Sequence, residues 1–498
     1  MHLPNLQKCS DLLRTIIINK PSIMLQEACV LLALSGTAAA GVVHEYTISI
    51  DADLDTMRVA ARFAAPVDDV RARSGSAGGF LDSAQNCDTD QFLGNRGRRL
   101  ELPRTGVTCV NYVVDLKRAA AAERRNASLS EDNVVVSPAV WLWHPSLVPG
   151  TRIIVHFELE DGVDVSMPWQ PLSGQDRSYE MLPSPRNAKA MAAFGRFVNV
   201  RRELVGSELR IAVLRPRGAI NSAAIIDWVH DTAGNISLAY GRFPNPSPHV
   251  VVLPVGHGGW QSDSPVPFGR VLRDGGETVE LFIDERRPIE DFYDDWTATH
   301  EFSHLMLPFV RSGHRWISEG FAQYYQNVLL TRVGQYDEQR AWQKLYDGFV
   351  RGHNSRPELS PNEAARQSVG AATMKIYWSG AIIALMADVE LRRRSGGRES
   401  LDSTLGQLQR CCLPSERSWS GTELFEMLDG FVEEPVFMPL YRKHADKSGF
   451  PRFEAILESL GVTIKNGTVQ LSNDAELAGI RKAITRTYVE IPHEGIMR

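Results

Sequence analysis

The hydrophobic pattern of this chain changes period once, near Pro288, and that change divides it into a strand-rich front and a helix-rich back. From about residue 41 to 200, apolar and polar residues alternate. HEYTISIDADLDTMRVAARF reads as two strands about a turn, and TRIIVHFELEDGVDV as a hairpin strand pair. Proline, glycine and polar clusters separate these runs, with a solvated loop expected near RAAAAERRNASLSEDN. A second strand set follows as ELRIAVLRP, HVVVLPVG and ETVELFID. After Pro288 the spacing becomes helical and stays mostly so to the end. Strands and helices segregated in this way predict an α+β protein.

Composition removes several classes. The 498 residues suffice for two or three domains, and 43% hydrophobic with 23% charged residues argues against disorder, collagen-like repeats and coiled coil. Sixty acidic against 54 basic side chains leave a formal charge of −6 with no dense basic run, the wrong balance for a nucleic-acid binder. Six cysteines without a CxxC are too few for a disulfide scaffold and do not form a zinc ribbon.

Near the start, ACVLLALSGTAAAGVV is uncharged but shorter than the ~20 residues of a membrane span. Lys8, Arg14 and Lys20 precede it and Ala38-Ala39-Ala40 ends it, so residues 1–40 read as a signal peptide and the mature chain as periplasmic or secreted. Glu27 abuts the apolar stretch, and a cytoplasmic protein with an apolar first segment is the alternative. In an oxidising compartment Cys87 and Cys109 could pair, whereas adjacent Cys411 and Cys412 read as free thiols. No later segment is long and apolar enough for a transmembrane span.

The chemistry lies in DFYDDWTATHEFSHLMLPFVRSGHRWISEGFAQYYQNVLL. His300-Glu301-Phe302-Ser303-His304 is an HExxH. On a helix the two imidazoles share one face and reach a single zinc ion, with Glu301 placed to take a proton from water polarised by that ion. Phe292, Trp296 and the histidines follow helical spacing. Two histidines on a buried helix could instead be satisfied by ordinary hydrogen bonds. Glu319 favours the metal: it lies in a second helical pattern, after a stop at Pro308 and a turn at Ser312-Gly313, and an antiparallel return brings it back as third ligand. The longer HExxHxxGxxH pattern fails, because Leu307 and Val310 stand where Gly and His are needed. His314 sits in the turn and reads as a loop residue.

These residues resemble a known group. HExxH followed by W-x-x-E-G-x-x-x-Y-Y is similar to the gluzincin metallopeptidases, in particular the glycyl aminopeptidase family and, more distantly, aminopeptidase N. A second block, IYWSGAIIALMADVELRRRSGGRESLDSTLGQL, resembles the family's tyrosine three residues before a helical glycine, followed by S-L-D-x-x-L. The resemblance spans roughly residues 200 to 480. It implies that Tyr377 hydrogen-bonds the oxyanion of the tetrahedral intermediate, with Gly380 as the motif glycine. It also implies an N-terminal all-β domain over 41–200, a thermolysin-like α/β metallopeptidase domain over 201–350, and a mostly helical C-terminal region over 351–498. Two features depart from the family. Fourteen residues separate HExxH from Glu319, where aminopeptidase N has eighteen. The glycine-containing loop in which aminopeptidases carry an amine-binding acid corresponds to GHGGWQSDSP, with Trp260 at the expected position, Asp263 as a substitute, and His257 as a loop or pocket-wall residue.

The residues thus predict a zinc-dependent metallopeptidase with one Zn2+ per chain held by His300, His304 and Glu319. Glu301 is the general base and, as the resemblance implies, Tyr377 is the oxyanion donor and a peptide or protein the substrate. The choice between exopeptidase and endopeptidase stays open. A peptide-binding protein with a dormant zinc site and a zinc hydrolase of a non-peptide amide are the alternatives.

Overall fold

A computed structural model describes residues 42–122, 127–129, 132–148, 150–181, 190–215, 221–256, 263–273, 275–368 and 370–487. Residues 1–40, read above as a signal peptide, lie outside the described residues, as do His257 and Trp260.

The expected first hairpin forms. Val43–Ile50 runs antiparallel to Thr56–Val67, with Glu45 opposite Arg62 and Ile50 opposite Met57. Its alternation sends Tyr46, Ile48, Ile50, Met57, Val59 and Ala61 into one core. It is the middle of a seven-stranded sheet ordered Gln170–Pro171, Ser178–Met181, Arg152–Leu159, Val43–Ile50, Thr56–Val67, Val107–Asp115, Leu81–Asn86. A four-stranded sheet packs on it, and Trp141, Trp143 and Trp169 are buried in the same core.

Two local expectations fail here. TRIIVHFELEDGVDV is no hairpin: Arg152–Leu159 pairs in parallel with Val43–Ile50, while Asp164–Ser166 pairs with Ala192–Gly195 in the other sheet. The turn between them carries the chain from one layer to the next, so both strands keep their alternation but not each other. The supposed solvated loop begins as a helix, Leu116–Ala122, because Leu116, Ala119 and Ala120 recur on one face and are buried.

The second strand set assembles into a five-stranded sheet ordered Val198–Leu204, Ser207–Val213, His249–Pro254, Glu277–Ile283, Phe268–Arg273. Its centre is parallel and its last strand antiparallel. Helix α1 (Ser222–Ile236) covers one face: Ile225, Trp228, Val229 and Ile236 pack with Ile211, Val250, Val279 and Leu281. The other face sets Val251 and Leu253 against Val135, Met191 and Ala193 of the β-rich front. Buried on both faces, its central strands are continuous apolar runs, as HVVVLP shows.

The rest is mostly helical: α2 (Thr297–Ser303), α3 (Arg315–Arg332), α4 (Glu338–Asn354), α5 (Thr373–Ser395) and α6 (Leu401–Cys412) are its main elements here, with a small hairpin at Val462–Lys465 and Thr468–Leu471. The helix expected to run from Phe292 into the histidines is broken at Asp295, whose backbone is extended and whose carboxylate accepts from Thr297 N at 2.7 Å. A side chain that caps the next helix competes with continuing the previous one.

Helices α3 and α5 run side by side in the same direction and touch through glycine. A Cβ on Gly320 would lie 2.1 Å from Gly380 Cα, and one on Gly380 would lie 1.9 Å from Trp316 O. Further along, Tyr324 donates to Asp388 at 2.8 Å. Asp402 accepts from Arg332 at 2.8 Å, Arg392 at 3.2 Å and Tyr325 at 2.9 Å. The S-L-D block is therefore a clamp: Ser400 caps α6 and Asp402 binds both long helices. Cys87 and Cys109 are joined with Cα atoms 5.7 Å apart. Cys411 and Cys412 are also joined, contrary to the expectation of free thiols; they sit at the end of α6, where Leu413 turns extended.

Gly380→Ala places a methyl group against backbone that has no room to retreat. We expect a loss of roughly 1–3 kcal/mol in urea unfolding, together with weakened metal binding as Glu319 shifts. An unchanged midpoint would contradict the close packing.

Candidate active site

HExxH lies on α2 and the following turn, His304–Met306, with the chain extended at Leu307 before Pro308. Helix α3 returns antiparallel, so His304 meets Ser318 and His300 meets Gln326. Glu319 projects between them: its Oε2 lies 3.4 Å from both His300 Nε2 and His304 Nε2. One ligand atom from each of the three residues falls within 4.8 Å of the others. A tetrahedral ion with bonds of about 2.0–2.1 Å sets its ligands roughly 3.3 Å apart, close to this spacing.

The surroundings fit a cation. His300 Nδ1 is 3.2 Å from Gln326 Oε1, and His304 Nδ1 is 2.9 Å from Ser318 Oγ. An imidazole that donates through Nδ1 presents its Nε2 lone pair outward. Both Nε2 atoms face Glu319, and Glu319 Oε2 has no hydrogen-bond partner of its own. A buried orphan acceptor beside two lone pairs is costly unless a positive charge joins them. When the imidazoles carry protons in place of a metal, His304 and His300 outweigh burial and hold the Glu319 carboxyl well below the usual range. His314, as expected, stands apart, in the turn against Tyr441.

Glu301 is buried under the edge strand Phe268–Arg273. A Cβ on Gly269 would lie 2.5 Å from Glu301 Cγ, so only glycine lets the strand pass over this side chain. Burial, reinforced by the charge of Glu319 and opposed by His300, pushes the Glu301 carboxyl up to about 7. Tyr377, near the start of α5, stacks on His300 with ring centroids 5.5 Å apart and planes 6° from parallel. Burial and then the charges of Glu319 and Glu301 raise its phenol far above the ordinary range, so the hydroxyl stays protonated and available as a donor.

All five predicted residues therefore meet at one place. Sequence reasoning missed Ser318, Gln326 and Gly269. Gln326 lies seven residues after Glu319, two helical turns along the same face, which was a usable signal. Gly269 is an isolated glycine in a strand pattern, a mark of close backbone approach. The glycine-bearing segment over the base is thus Phe268–Arg273, downstream of the loop GHGGWQSDSP, and it carries no acid: its charged residues are Arg270 and Arg273. Arg270 pairs with buried Glu280, and Arg273 pairs with Glu277 while donating to His304 O at 3.0 Å. Residues 257–262, including the expected position Trp260, lie outside the described residues.

No sequence-family model matches the chain, and no curated protein sequence does. Solved structures do match in three dimensions. An aminopeptidase N family protein from Idiomarina loihiensis superposes with a TM-score of 0.63 at 15% identity, covering 85% of this chain and 79% of its own. An M1 zinc metallopeptidase from Deinococcus radiodurans gives 0.51 at 13% identity, covering 83% and 95%. A variant of that enzyme bound to a Tyr-Ser-Ala substrate gives 0.50 at 12% identity, covering 83% and 96%. The chain has the fold of the M1 zinc metallopeptidases, an N-terminal β-rich domain followed by a helical C-terminal region.

Proposed function

We propose that the protein is a zinc-dependent metallopeptidase that holds one zinc ion through His300, His304 and Glu319. The observation that carries this reading is the convergence of three ligand atoms within 4.8 Å beside a buried glutamate, beneath the edge strand of a sheet. When bound there, zinc supplies Lewis-acid polarisation of the scissile carbonyl and lowers the pKa of a water molecule toward neutrality. Glu301 accepts the proton of the attacking water on its carboxylate and returns it to the leaving amine. Tyr377 donates its phenolic hydrogen to the oxyanion of the tetrahedral intermediate. Gln326 and Ser318 hold the imidazoles in one orientation and tautomer. Among the described residues Phe268–Arg273 is the last strand of its sheet, next to Glu277–Ile283, a position that suits an extended peptide by strand addition. No helix among the described residues is long and apolar enough to cross a membrane.

Mass-spectrometric mapping of cuts in an unbiased peptide mixture tests the activity directly. Ladders from the N-terminus would assign an aminopeptidase and internal cuts an endopeptidase; an uncut mixture with zinc-replete protein would reject the reading.

Three substitutions test the assigned roles. His300→Ala, His304→Ala and Glu319→Ala should each lose the expected single equivalent of zinc, measured by elemental analysis; stoichiometric zinc in all three would refute the ligand set. Glu301→Gln removes the base without removing a ligand. It should keep its metal and lose about 10²–10⁴ in kcat, and full turnover would exclude Glu301 as base. Tyr377→Phe keeps the ring against His300 and deletes only the donor. A loss of about 10²–10³ in kcat with KM nearly constant is expected, whereas kcat within about threefold of wild type would make Tyr377 a packing residue.

A further inference from the structure

A cavity of about 330 Å³ opens beside the metal-ligating cluster. Three of its walls touch His300: Gln326 through the 3.2 Å hydrogen bond, Tyr377 by stacking, and Trp296 edge-on at 5.8 Å between ring centroids. A group in this cavity therefore adjoins the reacting centre. The wall from helix α4 contributes Lys344 and Arg351, two turns apart on one face at i and i+7. Trp378 and partly exposed Met374 complete an apolar flank.

The charge in this cavity has one sign. None of the residues that line it is acidic, and among the described residues neither Lys344 nor Arg351 has a carboxylate at salt-bridge distance. Both cations are held by aromatic faces instead: Lys344 Nζ lies 5.2 Å from the centre of the Tyr336 ring, and the Arg351 guanidinium 5.2 Å from that of Trp378. Burial, then the charges of Arg340 and Arg351, pull the Lys344 ammonium below its ordinary range; Asp347 and Asp295 only partly offset them. Asp295 is already occupied, accepting from Ser264 Oγ and Thr297 N. Two positioned cations, half-buried Lys344 and exposed Arg351, whose nearby carboxylates only partly offset them, favour an anion in the cavity. On the opposite flank, the strand over Glu301 offers no acid to receive a substrate ammonium.

We propose that Lys344 and Arg351 form a carboxylate-binding subsite, so that the enzyme selects peptides bearing a carboxylate close to the scissile bond. This deepens the metallopeptidase reading and rests on it. The carboxylate comes from a free C-terminus or from an aspartate or glutamate side chain, and the probes below separate these sources.

The test reads binding without turnover, in zinc-replete Glu301→Gln protein, through the fluorescence of the tryptophans lining the cavity. The probes are an alanine tetrapeptide with a free C-terminus, its C-terminal amide, and amides carrying one glutamate at each position in turn. At least one carboxylate probe should bind about tenfold or more tighter than the all-alanine amide. Preference for the free acid assigns the subsite to a C-terminus, and preference for a glutamate amide assigns it to a side chain. Adding Lys344→Gln with Arg351→Gln should bring every probe to the level of the amide, while Lys344→Arg with Arg351→Lys should retain the preference, separating charge from damage to the fold. Equal affinity for acid and amide, no measurable binding of any carboxylate probe, or a preference that survives the double glutamine change would overturn the proposal. The metallopeptidase reading fails separately, if wild-type protein loaded with zinc cleaves none of these peptides while the binding preference stands.

Discussion

The end of this molecule that carries the candidate site depends on a backbone-to-backbone contact between two helices. Gly320 and Gly380 let α3 and α5 approach until a single methyl group would collide with main-chain atoms. Glu319 precedes the first glycine and Tyr377 lies one helical turn before the second. The contact therefore sets how far Glu319 stands from Tyr377, and Tyr377 fills the remaining space by stacking on His300. Metal and catalytic geometries tolerate errors of only about 0.5 Å, which loosely packed long side chains between these helices would not guarantee. Farther along, Asp388 and Asp402 tie the same helices through Arg332, Arg392, Tyr324 and Tyr325, so the pair is pinned at both ends.

A second layer of constraint is electrostatic. Two carboxylates, Glu301 and Glu319, lie close together among buried imidazoles, and Glu319 Oε2 has no donor. Such a cluster is unfavourable without a cation and well matched with one, so the site is arranged for metal before substrate arrives. Immediately beyond His300 the sign reverses, with Lys344 and Arg351 facing the adjoining cavity. A substrate lying across both regions would meet a polarising centre at one point and a cationic wall at the next.

Much of this was legible in the residues, because it rests on local periodicity. HExxH, the break before Pro308 and the helical pattern around Glu319 bring three candidate ligands together by spacing alone, and HEYTISIDADLDTMRVAARF forms the hairpin its alternation describes. What was not legible depended on partners distant in the chain. Arg152–Leu159 and Asp164–Ser166 read as a hairpin because alternation fixes the face a strand buries and leaves its neighbour undetermined. The helix through Phe292 stops at Asp295 because the chain there caps the next element, a tertiary choice that periodicity cannot register. Gly269 mattered only once the edge strand was seen to cross Glu301, and the cationic cavity arises from helix α4, whose Lys344 and Arg351 look in sequence like any solvated helix face.

The central claim is that His300, His304 and Glu319 hold a single zinc ion beside Glu301. Diffraction from crystals of the zinc-loaded protein, recorded on both sides of the zinc absorption edge, tests it most directly. The account predicts one strong anomalous peak about 2.0–2.2 Å from His300 Nε2, His304 Nε2 and a Glu319 carboxylate oxygen, with a fourth position open toward Tyr377 and the cavity. No peak at this cluster, or zinc bound by a different set of residues, would contradict it.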